Sequence, residues 1–212
     1  MFDKIFYKTP AIIREILPGV EWRIETTTRQ IYLTFDDGPI PGLTHKILDI
    51  LAENEAKATF FCVGDNIRKH PDVFKEILAS GHAVGNHTQH HLKAWKSAKR
   101  DYLNDIDACE SYINKYHQPS KKLFRPPYGQ ITPTLSNTIT KLGYRIIMWD
   151  VLSRDYNQKI SPENIMRKSI QYSGEGSIIV FHDNIKAQEN VLFVLPQYIK
   201  YFSERGFKFL AL

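Results

Sequence analysis

Short apolar segments alternate with longer amphipathic segments along this chain of 212 residues, and no other feature constrains its fold as much. Seven apolar runs predict strands, at residues 31–35, 58–63, 83–86, 123–125, 144–149, 177–181 and 207–210. The amphipathic segments between them predict helices, at residues 43–54, 71–80, 97–116, 133–142, 162–172 and 191–204. Strands that alternate with helices form a parallel sheet, because each helix carries the chain back across a face of the sheet.

Helix-capping residues support these boundaries. Ser161 precedes Pro162, which is typical of an N-cap followed by proline in the first turn. Gly81, Gly143 and Gly206 each follow a predicted helix, where glycine accepts the left-handed conformation that ends many helices. Seven strands in one chain of this length predict a single α/β domain, a TIM-barrel-like fold related to the (β/α)8 barrel. An open doubly wound sheet is the alternative.

No linker, internal repeat or low-complexity stretch divides the chain. Residues 1–29 precede the first predicted strand, and we expect them to form an N-terminal arm packed on the barrel. Residues 30–212 form the predicted barrel domain, which carries any active site. The sequence predicts no oligomeric state.

Composition narrows the class of protein. The net charge of +5 favours anionic surroundings, but the basic clusters are short and no nucleic-acid motif accompanies them, so we expect no nucleic-acid partner. Cys62 and Cys109 form neither a disulfide framework nor a CxxC site. No apolar stretch is long enough to span a membrane. Charged residues interrupt any signal-peptide core near the N-terminus, which favours a cytoplasmic protein and leaves association with the cell envelope open.

Polar and charged residues follow five of the predicted strands. Catalytic residues of such barrels lie where the strands end, so these residues are predicted to meet at one rim. They are Asp36 and Asp37, the segment 86–91, Arg125 in the segment 125–129, Asp150 and Asp155, and His182 and Asp183.

Asp36 and Asp37 are adjacent carboxylates that follow an apolar, β-branched run. Two carboxylates that end a buried strand repel each other and lose hydration, unless a cation lies beside them. One of them can then bind the cation while the other handles protons. The alternative is an ordinary turn, because Asp-Gly-Pro is common turn chemistry.

His87 and His91 are four residues apart, so on a helical turn both imidazoles lie on one face and can bind one ion. Asp37 is a candidate third ligand. Two histidines and one carboxylate leave positions open for water and substrate, as a catalytic metal site requires. Zinc is the expected metal, although cobalt, nickel and other first-row metals suit these ligands. Spacing alone leaves open a His87/His90 pair, or a polar surface turn without metal.

His182 follows a strongly apolar strand, and Val180 lies on the same face of it because side chains alternate along a strand. An aliphatic side chain beside an acid–base histidine suits a small apolar group such as a methyl group. A buried structural histidine is the alternative. Arg125 begins a rigid Pro-Pro-Tyr-Gly loop, in which the arginine can pair with a carboxylate and the Tyr128 region can offer a backbone N–H to negative charge. A simple turn is the alternative there.

Together these motifs resemble those of polysaccharide deacetylases of the NodB-homology type, also called carbohydrate esterase family 4. The resemblance spans residues 30–212 and implies a distorted (β/α)7 barrel. Thr34-Phe35-Asp36-Asp37-Gly38 is similar to the first family motif, which implies Asp36 as general base and Asp37 as metal ligand. His87-Thr88-Gln89-His90-His91 is similar to the second, which implies His87 and His91 as the imidazole ligands.

The resemblance also implies roles for the later segments. Arg125-Pro126-Pro127-Tyr128 is similar to the third motif, in which the arginine orients the base and the tyrosine amide holds the oxyanion. Val180 and His182 are similar to the fifth motif, which implies an acetyl-pocket residue and the general acid.

The fourth motif departs from the family pattern Asp-x-x-Asp-Trp. This chain has Leu152 in place of the first acid and Tyr156 in place of the tryptophan. Asp155 retains the implied role of pairing with His182. Tyr156 is a candidate substrate-binding residue. Because it replaces the tryptophan of the family pattern, the sequence indicates the reaction more specifically than the substrate.

The resemblance implies a metal-dependent hydrolase that removes N-acetyl groups from N-acetylglucosamine-type units of a glycan. The same groups suit an O-acetyl ester, a small non-sugar amide, or a formyl group on a lipid-linked sugar. A non-catalytic carbohydrate-binding protein is a further alternative, against which Asp36, Asp37, His87, His91 and His182 argue because all five are intact. The sequence does not distinguish peptidoglycan, chitin-like oligomers and lipid-linked glycans.

Overall fold

In the described part of the chain, the central sheet consists of nine strands, and every pair of neighbouring strands in it is parallel. The computed structural model describes residues 7–17 and 19–212. Its strands are β1 (Val20–Glu21), β2 (Gln30–Asp36), β3 (Ala58–Cys62), β4 (Ala83–Asn86), β5 (Lys122–Phe124), β6 (Tyr144–Ile147), β7 (Val151–Leu152), β8 (Ser177–His182) and β9 (Lys208–Phe209).

Eight α-helices lie among these strands in the described residues. They are α1 (Ala11–Ile16), α2 (Leu43–Glu53), α3 (Gly64–Lys69), α4 (Pro71–Ala79), α5 (Lys99–Asn114), α6 (Pro133–Lys141), α7 (Pro162–Tyr172) and α8 (Gln188–Ser203). Two short 3₁₀ turns cover Ala94–Lys96 and Pro127–Gly129. No helix in the described part of the chain is long and apolar enough to cross a membrane.

The sheet curls into a distorted barrel, as predicted. The strands follow one another in the order β1-β6-β5-β4-β3-β2-β8-β7, with β9 added to the beginning of β2. β6 lies near one end of this order and β7 lies at the other end. Only residues 148–150 separate these two strands in the chain, so a short stretch of chain joins the two ends of the sheet. The barrel prediction is therefore confirmed over the open doubly wound alternative.

The strand predicted at 144–149 corresponds to β6, which ends two residues earlier, and the short strand β7 that follows at Val151–Leu152 was not predicted. The chain changes partners here: the N–H of Met148 donates to the carbonyl of Glu21, whereas the N–H of Asp150 donates to the carbonyl of Ile178. The first bond joins the chain to β1 and the second joins it to β8.

Side chains of β2 alternate between two environments. Ile31, Leu33 and Phe35 pack in the main core between the sheet and the helices. Tyr32 belongs to a smaller cluster with Phe61, Leu123, Ile147 and Ile178, each from a different strand of the barrel. The carboxylate of Asp36 lies on the same side of β2 as Tyr32, because side chains two and four positions apart share a face.

The predicted helix boundaries agree with the structure to within a few residues at most positions. Helix α7 has the predicted bounds, and the Ser161 hydroxyl accepts a hydrogen bond from the N–H of Asn164. The long helix α5 begins two residues later than predicted, at Lys99, and ends two residues earlier, at Asn114. Helix α3 was not predicted, because its six residues are too short to show helical periodicity.

Part of the predicted arm joins the sheet directly. β1 pairs with β6, and Lys8 forms an antiparallel bridge with Val151 of β7. Residues 1–6 and 18 of this arm lie outside the described residues, and the boundary between residues 29 and 30 stays a prediction.

Gly85 tests how tightly the barrel interior is packed. A Cβ atom at this position would lie 2.6 Å from the ring of Phe61 and 3.1 Å from the Cβ of Leu123. We expect Gly85→Ala to lower the free energy of unfolding by about 1–3 kcal/mol, because an extra methyl group overpacks a filled core. Urea denaturation measures this change.

Gly174→Ala is the matched control, since no atom of residues 7–17 or 19–212 lies within 4 Å of a Cβ there. We expect a change within about 0.5 kcal/mol. Equal denaturation midpoints for the two variants would contradict tight packing around Gly85.

Candidate active site

Asp36 ends β2 inside the barrel, where a buried arginine pairs with it. The Nη1 atom of Arg125 donates to Oδ1 of Asp36 over 2.7 Å, and both side chains are almost completely buried. A buried carboxylate without such a partner would lose its hydration without compensation. The pair therefore holds the Asp36 carboxylate in one orientation at the rim.

Arg125 is itself held by several strands. Its Nη1 also donates to the hydroxyl of Thr34 over 2.7 Å, and Nε donates to the carbonyl of Ile147 over 3.2 Å. Nη2 donates to the carbonyl of Met148 over 2.9 Å, and the guanidinium lies 4.1 Å from the centre of the Phe61 ring. These contacts leave the guanidinium little freedom to rotate.

Asp37 points to a different side of the rim from Asp36. Its φ of 87° is in the left-handed region, so the chain turns sharply between the two aspartates. Oδ1 of Asp37 lies 3.6 Å from Nε2 of His87 and 3.1 Å from Nε2 of His91. One ligand atom from each of these three residues lies within 4.8 Å of the other two, so the trio is able to hold a metal ion.

The hydrogen bonds of the two histidines favour metal binding through Nε2. Nδ1 of His87 lies 2.7 Å from the carbonyl oxygen of Arg125, which accepts only from a protonated Nδ1. Nδ1 of His91 lies 3.1 Å from the hydroxyl of Tyr128. The carbonyl fixes a proton on Nδ1 of His87, and both rings turn Nε2 towards Asp37, where it is placed to bind a metal ion.

Electrostatics keep the third group of the trio ionised. Burial by itself raises the pKa of Asp37, but hydrogen bonds from His87 and His91 outweigh it and place the pKa well below its ordinary value. The side-chain amide of Asn184 also donates to Oδ2 of Asp37 over 2.6 Å. An anionic carboxylate beside the Nε2 atoms of two imidazoles is a ligand set that suits a divalent cation.

The expectation that His87 and His91 lie on a helical turn is wrong. They lie in an irregular loop after β4, in which Thr88 has φ 65° and His91 has φ 54°. The side-chain oxygen of Asn86 accepts from the N–H of Thr88 and fixes the start of this loop. Two left-handed residues, rather than helical periodicity, bring the imidazoles together.

His90 does not take part in the trio. Its Nδ1 lies 2.5 Å from Oδ1 of Asp105 on α5, and its backbone N–H donates to Oδ2 of the same residue. Of the two histidine pairs that spacing left open, the structure brings His87 and His91 to Asp37.

His182 ends β8 and is paired with a buried aspartate. Its Nδ1 lies 2.7 Å from Oδ1 of Asp155, and its backbone N–H donates to Oδ2 over 2.7 Å. Burial alone lowers the pKa of His182, but the charges of Asp155, Asp37 and Asp36 together raise it to about 9. The imidazole is therefore protonated at neutral pH. The ring of Tyr156 meets the ring of His182 edge-on, with centres 4.9 Å apart.

A cavity of about 400 Å³ opens at these residues. The structure brings eight of the ten predicted site residues into its lining, and places the other two, Arg125 and Asp155, behind Asp36 and His182. The eight are Asp36, Asp37, His87, His91, Tyr128, Tyr156, Val180 and His182. Strand-end position and motif therefore located the residues of one cavity.

Other lining residues were not predicted. Trp149, Asn184, Ile185 and Lys186 contribute to the cavity wall. Trp149 lies at the end of a predicted strand, which is a position that already marks the rim. The other three follow His182 in a loop without a strand or motif to indicate them.

Two acidic residues near the strand ends have structural partners. Asp150 accepts a hydrogen bond from Nζ of Lys8 over 2.8 Å, so it ties the N-terminal segment to the barrel rather than lining the cavity. Asp183 accepts from the N–H of Gly38 and from the hydroxyl of Thr44, each over 2.8 Å. A Cβ at Gly38 would overlap the Asp183 carboxylate, so the turn after Asp37 needs glycine.

Known proteins resemble this chain in sequence and in structure. Residues 23–147 match the polysaccharide deacetylase family. A peptidoglycan-N-acetylglucosamine deacetylase of Bacillus cereus is 30% identical over 194 residues, which span 91% of this chain and 90% of the relative. A chitooligosaccharide deacetylase of Azorhizobium caulinodans is 32% identical over 81% of both chains.

A solved structure has the same fold as this chain. The crystal structure of a peptidoglycan N-acetylglucosamine deacetylase in complex with 4-naphthalen-1-yl-N-oxidanyl-benzamide superimposes with a TM-score of 0.88. It is 31% identical in sequence, and the superposition covers 96% of this chain and 95% of the other.

Asp155→Asn tests the electrostatics of His182 in metal-free protein. Without the Asp155 charge and hydrogen bond, we expect the pKa of His182 to fall from about 9 towards its ordinary value of 6.5, because burial lowers it and only Asp37 and Asp36 still raise it. The pair stabilises the fold fully below about pH 6.5, and this stabilisation is lost as the pH rises through about 9, because the folded state binds the proton more tightly. NMR titration of the imidazole measures the shift.

Asp105→Asn is the control, because it removes the partner of His90 and leaves the His182 pair intact. An unchanged titration of His182 in Asp155→Asn would contradict the role of Asp155.

Proposed function

The chain belongs to the polysaccharide deacetylase family, and on this basis we propose that it removes N-acetyl groups from N-acetylglucosamine-type units of a poly- or oligosaccharide. The observation that carries the proposal is the meeting of a metal-binding trio, a buried aspartate–arginine pair and a protonated histidine at one cavity. Together these groups suit the hydrolysis of an amide. The relatives named as deacetylases of peptidoglycan and chitooligosaccharide support a glycan substrate.

Asp37, His87 and His91 would hold a divalent metal ion, with zinc as the preferred candidate and cobalt or nickel as alternatives. The fit rests on three converging ligand atoms and on the hydrogen bonds at Nδ1 that hold both imidazoles with Nε2 towards Asp37. Such an ion, when bound, polarises a carbonyl oxygen and makes water more acidic.

Asp36 is the proposed general base. Its Oδ1 is held by Arg125, and its Oδ2 lies 4.0 Å from Nε2 of His87, near the trio. Arg125 orients the carboxylate, so that Oδ2 is available to take a proton from the attacking water.

His182 is the proposed general acid. Its Nδ1 is bonded to Asp155, which leaves Nε2–H available to protonate the departing amine. The backbone N–H of Tyr128 is the proposed donor to the negatively charged oxygen that forms when water attacks the carbonyl. Products are acetate and a free amino sugar.

Val180 and Tyr156 are proposed to contact the substrate. Val180 is fully buried on β8 and lines the cavity near His182, where it would pack against the acetyl methyl group. Tyr156 lines the same cavity and would form part of the wall against the sugar.

Asp36→Asn tests the general base. We expect acetate release from an N-acetylglucosamine oligomer to fall by about 10²–10⁴-fold, because amide nitrogen does not accept the proton. Zinc binding, followed by calorimetry, is expected to persist because the trio is intact. Asp49→Asn, an exposed aspartate on α2, is the control and should retain full activity. Normal turnover by Asp36→Asn would overturn the assignment of the base.

Removal of metal tests the trio. We expect a chelator to abolish acetate release and zinc, cobalt or nickel to restore it, and we expect His91→Ala to bind cobalt more weakly, as measured by the visible spectrum. Full activity after complete removal of the metal would exclude a metal role.

Substrates that carry N-acetyl, O-acetyl or N-formyl groups separate the proposed reaction from its alternatives. Faster hydrolysis of the ester or of the formamide would replace N-deacetylation as the proposed reaction.

A further inference from the structure

The segment that follows β8 holds the end of β2 beyond the last paired residues of the two strands. Asp36 lies opposite His182 in the parallel register. After this pair, the N–H of Asp183 donates to the carbonyl of Asp36 over 3.0 Å, and the N–H of Gly38 donates to the Asp183 carboxylate over 2.8 Å. The backbone on both sides of Asp37 is therefore fixed by the residue that follows His182.

Asn184 extends these contacts to the side chain of Asp37. Its Nδ2 donates to Oδ2 of Asp37 over 2.6 Å, and its Oδ1 accepts from the N–H of Ala187 over 3.1 Å. These two partners define the orientation of the amide, because the opposite orientation would set donor against donor at Ala187 and acceptor against acceptor at Asp37. Since Ala187 directly precedes α8, the amide is anchored to the start of a helix of 16 residues.

The contact with Asn184 gives the two carboxylate oxygens of Asp37 different environments. Oδ1 lies 3.1 Å from Nε2 of His91 and 3.6 Å from Nε2 of His87. Oδ2 instead accepts the hydrogen bond from Asn184. A carboxylate can bind a cation through one oxygen or through both, and a hydrogen bond to one oxygen favours binding through the other.

We propose that Asn184 is a positioning residue that makes Asp37 bind the metal ion through Oδ1 alone. The inference rests on the proposed function, because the metal-binding role of Asp37 is part of it. Two imidazoles and one carboxylate oxygen occupy three positions of a tetrahedral site, so the fourth stays open for water or substrate. A second carboxylate oxygen would take a position that the reaction needs.

The visible spectrum of bound cobalt(II) tests this role without catalysis, because its absorption weakens as the number of ligands rises. Metal-free protein is saturated with cobalt. We expect the absorption per bound cobalt to fall about twofold or more in Asn184→Ala, since the freed Oδ2 adds a ligand. Asn137→Ala, at an exposed asparagine of α6, is the control and should keep the wild-type spectrum. Equal spectra of Asn184→Ala and wild type would overturn the proposal.

Asn184→Leu is a second variant that lacks the donor but keeps a side chain of similar size. We expect the same weakening of the cobalt absorption as in Asn184→Ala. A change that only Asn184→Ala shows would overturn the proposal, because loss of side-chain volume rather than of the hydrogen bond would then explain it.

Asn66→Ala separates the orientation of the carboxylate from a general loosening of Asp37. Nδ2 of Asn66 donates to the backbone carbonyl of Asp37 over 2.7 Å, so this variant removes a contact to the same residue while Oδ2 keeps its donor. We expect the absorption per bound cobalt to stay at the wild-type level. Equal weakening in Asn66→Ala and Asn184→Ala would contradict the proposed role.

Acetate release at saturating zinc separates this inference from the proposed function. We expect kcat for an N-acetylglucosamine oligomer to fall about 10–100-fold in Asn184→Ala, as is typical when the hydrogen-bond partner of a metal ligand is lost. A raised KM with unchanged kcat and an unchanged cobalt spectrum would make Asn184 a substrate contact and overturn the positioning role. If the cobalt spectrum changes as expected but wild-type protein deacetylates no glycan, the positioning role stands while the proposed function fails.

Discussion

The buried guanidinium of Arg125 is the interaction on which both the barrel and the site depend. Its nitrogens donate to Thr34 and Asp36 on β2 and to the carbonyls of Ile147 and Met148 at the end of β6. Its own carbonyl accepts from the imidazole of His87. A charge removed from water needs partners on every side, and these partners come from separate strands of the barrel. Closure of the barrel therefore also fixes the orientation of the Asp36 carboxylate.

Adjacent residues of the site have different partners. Asp36 and Asp37 are adjacent in sequence, yet the left-handed conformation of Asp37 sends one carboxylate to Arg125 and the other to the two imidazoles. The Asp183 carboxylate secures this turn through the N–H of Gly38. A turn and a functional site were alternative interpretations of the aspartate pair, and the structure shows that the geometry of the turn is what separates the two carboxylates.

Periodicity predicted the parts of the fold in which local pattern and tertiary environment agree. β2 and β8 alternate between helix-facing and interior side chains, and this alternation placed Val180 and His182 on one face. It missed β7 at residues 151–152, which follows the point where the chain exchanges one neighbouring strand for another. It also failed at His87 and His91, because a loop with left-handed residues carries no period. Asn184 was not predicted either, because its contact with Asp37 joins residues that are far apart in the chain.

The sequence by itself determined the alternating strands and helices, the strand ends that carry the charged groups, and the family motifs. These properties depend on residue type and short-range spacing, which are written in the order of the amino acids. Only the tertiary structure decided which ring nitrogens meet Asp37, how Arg125 is enclosed, and where the N-terminal segment lies. That segment forms a pocket with Trp95 and Trp149, residues more than seventy positions later in the chain. Contacts of this kind follow from closure of the barrel, which no local pattern encodes.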